Sequence, residues 1–412
     1  MNKIPPLRGT HDFIGKDIIF YNEIKKIISE MATQYDFNEI ITPILEYNEL
    51  FTKPLGENSD VVLKEMYSFE DRNKSLITLR PEYTTPMIRA AITNSLFNKL
   101  PVKLFGLGPM FRRERPQKGR YRQFNQINFE IFGSSDSISD AELIILANNF
   151  IKKLKIENKT TLYLNSLGDL NTLKKYKHEL TTYYSKYKKE LSSESVLKID
   201  TNPLRILDSK DSKDLKININ APIISNFYSS SANRIFENIK ELLSKSNINF
   251  QIDKNLVRGL DYYCHTVFEF KTNSLGSQDT IIGGGRYDGL IEKLGGPKIP
   301  GVGWASGIER LMMMMNKAKD ISHDVQVVVI DELFKHQAFD LIIKLRENNF
   351  KVKFDYKYNL KKSLSLANEL KIKNVIIIGE DEVKNSYFTL KDLKAKKQIK
   401  VNFDELILNL NS

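Results

Sequence analysis

The sequence predicts an α+β chain in two parts: antiparallel-looking strands with a helical insertion first, then an α/β module. Three observations carry this. "VKLFGLGPMFRRE" and "YRQFNQINFEIFG" are β-rich runs joined by the polar loop "RPQKG", as in a hairpin. From about 171 to 220 the chain turns lysine-rich, with aromatics at roughly helical spacing. After residue 322, strand and helix patterns alternate, as in a βαβ module with a mainly parallel sheet.

The elements follow in order. Asp17 to about Tyr35 spaces Ile18, Ile19, Ile27, Ile28 and Met31 as an amphipathic helix. "FNEIITPILEY" reads as a strand, with Pro43 confining it to an edge or bulge. "SLITLRPEYTTPMIRAAI" reads as a strand, a turn at Pro81 and a helix begun near Pro86. Asp140 to Leu154 is helical, "TTLYLNS" a strand, and "LVRGLDYYCHTVFEF" ends as a buried strand. In the tail, "DVQVVVID", "FKVKFDY" and "NVIIIGE" are strands, separated by helices at "HQAFDLIIKLREN" and "LKKSLSLANELK". The polar "NKAKDISHD" is the expected linker.

At 412 residues the chain fits two or three domains. Hydrophobic content is 41% and charged content 27%, ordinary for a globular protein, and no run has the length of a membrane span. The opening "MNKIPPLRGTHDF" lacks a signal-peptide core, and one cysteine, Cys264, excludes an internal disulfide. A cytoplasmic setting is therefore expected. The net charge of +11 fits either a nucleic-acid partner or a lysine-biased composition.

Several stretches carry chemistry. Arg112, Arg113, Arg115, Lys118, Arg120 and Arg122 crowd one segment, and arginines spaced through a loop suit phosphate. In the strand after it, alternation sets Gln126, Asn128 and Glu130 on one face and Ile127, Phe129 and Ile131 on the other. The polar row lines a cleft or faces solvent. Arg258 and Asp261 at the entry of a core strand are either paired with each other or aimed at a ligand. "GGGRYDGL" lets backbone approach a ligand or makes a tight turn. "GVGWASGIERL" runs from a small-residue strand into a helix with Glu309 and Arg310 in its first turn, an anion-site arrangement. Met312 to Met315 read as core filler. No P-loop, nucleophile elbow or metal-ligand spacing among the five histidines is found.

Together these segments resemble class II aminoacyl-tRNA synthetases: the helix with "ITPILEY", then "FRRE" with its loop, then "GIERL" match the three motifs of that class. "LVRGLDYY" with "GGGRYDGL", supported by "LRGTHDF" and "LRPEYTTP", is similar to the histidyl-tRNA synthetase family over nearly the whole chain. The resemblance implies a catalytic domain, residues 1–320, on a mixed, mainly antiparallel sheet of six antiparallel strands flanked by helices. It also implies a helical insertion at about 171–220 and an α/β anticodon-binding domain at 324–412. It further implies a homodimer, with no membrane partner. The activity implied is formation of histidyl-adenylate from L-histidine and ATP, then transfer to tRNA(His), with Mg2+ on the ATP phosphates and no transition metal.

The resemblance also implies roles. Arg258 lies between the carboxylate and the α-phosphate, and Arg112 holds that phosphate from the other side. Arg310 lies on adenine and the γ-phosphate, with Glu114 near adenine. Glu82, Thr84 and Gln126 hold the α-amino group; Glu130 and Tyr263 bond the imidazole, with Tyr262 alongside. Arg115, Gln117 and Arg122 meet the tRNA acceptor end. Two departures from the family pattern are Tyr83-Thr84-Thr85-Pro86 after "RPE", and Asn125 in "QFNQ" where many members carry histidine. The rival readings are a catalytically inactive regulatory subunit of ATP phosphoribosyltransferase, a synthetase for glycine, threonine or proline, and a plain nucleic-acid-binding module. "RGLDYY" and the C-terminal module argue against the first, and the Gly283 loop with Arg310 against the last.

Overall fold

The computed structural model describes residues 3–55, 62, 65–260, 262–276, 279–316 and 323–411. The chain divides into two compact units, Met1–Ala318 and Lys319–Ser412. No helix of the described residues is long and apolar enough to cross a membrane.

The first unit is built on strands β1 (Asn38–Glu39), β2 (Leu45–Tyr47), β3 (Tyr67–Glu70), β4 (Leu76–Leu79), β5 (Val102–Phe111), β6 (Gln123–Phe132), β7 (Thr161–Ser166), β8 (Gln251–Ile252), β9 (Cys264–Lys271), β10 (Thr280–Arg286) and β11 (Gly301–Gly307). Eight of them form one sheet in the order β1-β5-β6-β11-β10-β9-β7-β8. The middle six are antiparallel neighbours. The two-residue strands β1 and β8 run parallel to β5 and β7 at either end. The hairpin β5-β6 keeps one register from Val102↔Phe132 to Phe111↔Gln123.

Period-2 alternation decides what each sheet face does. Ile127, Phe129 and Ile131 point into the main core, where Phe129 stacks on Trp304 at 4.9 Å between centroids. Helices Lys16–Gln34, Ser137–Lys153 and Ser230–Lys245 close that face with Ile28, Leu143, Phe150 and Ile239. The opposite face carries the polar row and the glycines, and it holds the cavities described below.

Three readings are corrected. "FNEIITPILEY" is not one strand but β1 and β2, in different sheets. Pro43 has no N–H for a ladder, and the Arg80 guanidinium takes the carbonyls of Thr42 (2.9 Å) and Pro43 (3.4 Å) instead. The run Gly283–Gly285 is the middle of β10, not a turn. "FKVKFDY" keeps only the two residues Val352–Lys353 as a strand. The lysine-rich stretch forms helices Leu170–Lys186, Ser193–Val196, Leu204–Leu207 and Ser212–Asn218 around an apolar cluster distinct from the main core. Helical structure continues beyond it, but the apolar face of Ser230–Lys245 belongs to the main core. Pairing of Arg258 with Asp261 falls outside the described residues, because position 261 is not among them.

The second unit has strands β12 (Val325–Val329), β13 (Val352–Lys353), β14 (Asn374–Ile378), β15 (Phe388–Asp392) and β16 (Lys397–Val401) in the order β13-β12-β14-β15-β16. The first three are parallel, while β15 and β16 add an antiparallel hairpin. That hairpin escapes a search for apolar periodicity because β16 lies at the edge and is exposed along four of its five residues.

Candidate active site

Two adjoining cavities, of about 300 and 320 Å³, lie on the polar face of the central sheet. Arg112, Glu114, Arg120, Gln126, Arg258, Gly283 and Ala305 line both. Glycine makes room for the charged side chains. A Cβ at Gly283 would sit 2.5 Å from Arg258 Nη2, and one at Gly303 would collide with the Glu130 carboxylate.

The first cavity is lined by carboxyls and phenols: Glu82, Glu130, Tyr262, Tyr263 and Tyr287, with Thr84, Gln126 and Asn128. Glu130 is 1% exposed. It accepts from Thr84 Oγ1 (2.6 Å), from Tyr287 Oη and, weakly, from Asn128 Nδ2 (3.5 Å). Burial pushes its carboxyl up to about 8, against the pull of Thr84 and Tyr287, and neighbouring Glu82 adds to the rise. Glu82 is also raised, by burial first, although it caps helix Thr84–Thr93 by accepting from the amides of Thr84 (2.7 Å) and Thr85 (2.9 Å). Gln126 Oε1 and Asn128 Oδ1 have no hydrogen-bond partner among the described residues. The cavity is rich in acceptors, so it suits a ligand rich in N–H donors.

The second cavity is cationic, with Arg112, Arg120, Arg258 and Arg310 in its wall beside Phe124 and Tyr121. Arg112 Nε donates to Pro81 O (2.8 Å), and its guanidinium lies 5.3 Å from the Phe124 centroid. Arg310 donates Nε to Gly119 O (2.9 Å) and Nη1 to Thr280 O (2.7 Å). Burial, then repulsion from Arg112 and Arg120, pulls Arg310 down to about 10. Arg120 pairs with Glu114, and with Glu65 at 3.5 Å. Arg258 pairs with Glu269, which also accepts from Thr280 Oγ1 (3.0 Å). Glu309 Oε1 accepts from Asn125 N (2.8 Å) and Nδ2 (3.1 Å), and burial raises this carboxyl to about 7. Several guanidiniums held at fixed positions by backbone carbonyls suit a polyphosphate.

A family model for histidyl-tRNA synthetase matches residues 9–311, and one for an anticodon binding domain matches residues 324–412. The chain belongs to the histidyl-tRNA synthetase family. It is 40% identical over 417 residues to the histidine–tRNA ligase of Orientia tsutsugamushi, covering 100% of this chain and 99% of that one. It is 42% identical to that of Ehrlichia canis, covering 98% of each. Apo histidyl-tRNA synthetase from S. aureus superimposes with a TM-score of 0.82 at 30% identity over the whole of both chains. A Bacillus halodurans structure titled as an ATP phosphoribosyltransferase regulatory subunit/histidyl-tRNA synthetase shares the fold, at a TM-score of 0.67 and 19% identity.

The residues singled out from this family's motifs fall into three places. Glu82, Thr84, Glu130, Tyr262 and Tyr263 line the carboxyl cavity, Arg310 the arginine cavity, and Arg112, Glu114, Gln126 and Arg258 both. Arg115 and Arg122 line neither; with Arg8 and Arg113 they border a separate, open recess. Gln117 bonds across its loop to Arg120 through backbone amides (2.9 and 3.1 Å). Sequence reasoning missed Tyr287, Glu269 and Arg205. Tyr287 stood inside the quoted "GGGRYDGL". Glu269 is a lone carboxylate in a strand otherwise rich in apolar residues, which called for a cationic partner. Nothing in the sequence marks Arg205, which reaches the site from the insertion.

Proposed function

We propose that this chain activates L-histidine with ATP and transfers it to tRNA(His). The observation that carries the reading is the junction of the two cavities. An acceptor-lined cavity with two carboxyls meets an arginine-lined one, and Arg112 and Arg258 stand in both.

On this reading the imidazole lies against Glu130 and Tyr263, with Tyr262 alongside. A carboxyl opposite a ring N–H selects the tautomer, and Tyr287 and Thr84 hold that carboxyl in place. Glu82, Thr84 and Gln126 take the α-amino group. The histidine carboxylate then points toward the shared arginines. As it attacks the α-phosphate, negative charge concentrates between Arg258 and Arg112. Cations fixed there by Glu269 and by Pro81 O bind the transition state without reorganising. Adenine stacks between Phe124 and Arg310, with Glu114 nearby and the γ-phosphate reaching Arg310. Mg2+ enters with ATP, as part of the substrate. The reaction needs little bond-making from the protein, so orientation and charge supply most of the acceleration.

The unit from residue 324 serves the anticodon, and Arg115, Gln117 and Arg122 serve the acceptor end. A second copy of the chain covers the three-stranded sheet β2-β4-β3, whose apolar face leaves Leu45 49%, Tyr47 62% and Phe69 47% exposed. The reaction is assigned to the cytoplasm, where Cys264 stays a buried free thiol. The full-length match to histidine–tRNA ligases supports this reading over the regulatory subunit.

Amino-acid-dependent ATP–pyrophosphate exchange tests the proposal. Exchange with histidine, without added transition metal, is expected. Exchange with glycine, threonine or proline in its place would reject it. A chain ending near residue 319 is expected to keep some exchange and lose most charging of tRNA. Charging equal to the full-length chain would remove the anticodon role.

A further inference from the structure

The lysine-rich insertion takes no part in the chemistry above, yet its core is not wholly its own. Leu256 and Val257, the two residues before Arg258, are buried in the same apolar cluster as Leu180, Leu204 and Leu207 of the insertion. Cys264, the residue after Tyr263, is buried there too, and Tyr263 packs against the cluster. The stretch that carries Arg258, Tyr262 and Tyr263 therefore has both ends set in the insertion. Its described residues form no strand before Cys264. Between those ends, Arg205 on helix Leu204–Leu207 donates Nη1 to the carbonyl of Arg258 (3.2 Å) and lines the carboxyl cavity.

We propose that Arg205 is a positioning residue for histidine activation, through which the insertion sets the place of Arg258 and the two tyrosines. A guanidinium bonded to a carbonyl is a charge-assisted hydrogen bond, among the stronger ones available. It acts where little movement is tolerated, because the Arg258 side chain crosses β10 in the space that a Cβ at Gly283 would fill. A small backbone shift there carries Tyr262 and Tyr263, which line the carboxyl cavity and not the arginine one. Phe124 and Arg310, by contrast, stand on β6 and on helix Ile308–Met314, and neither lines the cavity that Arg205 lines. Loss of Arg205 should therefore separate the two substrates.

The inference rests on the ligase reading, and the test keeps the two apart. Histidine-dependent pyrophosphate exchange is measured on the full chain for the wild type, R205A, R205K and V257A, with melting temperatures from the same preparations. R205A is expected to raise KM for histidine about tenfold and to lower kcat, while KM for ATP stays within about twofold. R205K, which keeps the stem and a donor, is expected to recover part of the loss. V257A, which loosens the shared core, is expected to raise KM for histidine in the same direction. A histidine KM within about twofold of wild type in R205A overturns the proposal, as does an equal rise for both substrates. If R205A does not fold, unchanged histidine KM in both R205K and V257A overturns it. A wild type that exchanges with another amino acid and not with histidine rejects the ligase reading, and the proposal falls with it.

Discussion

The two cavities share one sheet face and seven wall residues, yet their electrostatics are opposite. In one, burial lifts the carboxyls of Glu82 and Glu130 toward neutrality. In the other, burial and like charges pull the Arg310 guanidinium down to about 10. Both shifts have the same cause: a charge held out of water favours its neutral form unless a partner arrives. The partner required differs in sign. One half suits a cationic, donor-rich molecule and the other a polyanion. Arg258 and Arg112 stand where the two meet, the place at which a carboxylate and a phosphate would be brought together.

The largest effect is expected at that junction. Arg258→Ala should slow single-turnover adenylate formation by about 10²–10³-fold, with lysine restoring only part, because lysine lacks the planar fork. A large fall in melting temperature with an intact adenylation rate would make Arg258 merely the structural partner of Glu269. Glu130→Gln should sharpen the contrast between the halves. It replaces a carboxyl that accepts from Thr84 and Tyr287, so histidine binding should weaken by about 1.5–3 kcal/mol while KM for ATP holds. Equal losses for both substrates would erase the division of labour.

Gly303→Ala and Gly283→Ala probe the same division by crowding. The first meets Glu130 and the second Arg258. Each should cost about 1–3 kcal/mol of stability, with G303A impairing histidine use alone and G283A impairing both substrates. Identical kinetic profiles for the pair would argue that crowding disturbs the sheet and not the side chains. The smallest effect concerns pH. Between the ordinary value of 4.5 and about 8, folded Glu130 keeps a proton that the unfolded chain has lost. Stability from this group is therefore full below that window, falls as pH rises through it and levels off above it. The melting temperature of the wild type should decline by roughly a few degrees across the window, and that of Glu130→Gln by less. Parallel profiles would mean that Glu130 is ionised in the fold.

Much of this was legible beforehand where a local pattern decides the outcome. The hairpin β5-β6, with its polar row at Gln126, Asn128 and Glu130, follows from alternation alone. The long first helix and the parallel strands of the tail follow from apolar spacing, a property of neighbouring residues. The motifs mark Arg112, Arg258 and Arg310 as one set from the sequence alone. Other features needed the tertiary structure, because they depend on what lies opposite. Pro43 splits its segment into two sheets because Arg80, far along the chain, claims the carbonyls there. Gly283 and Gly303 sit in strands because charged side chains from other strands and loops need their space. Glu269 meets Arg258 because β9 and β10 set Glu269 opposite Gly283, over which the Arg258 side chain lies. The sequence determined which residue types would meet a polyanion and a donor-rich ligand. Only the packing of the sheet decided which of them share a cavity, because a carboxyl or a guanidinium takes its charge state from every group that surrounds it.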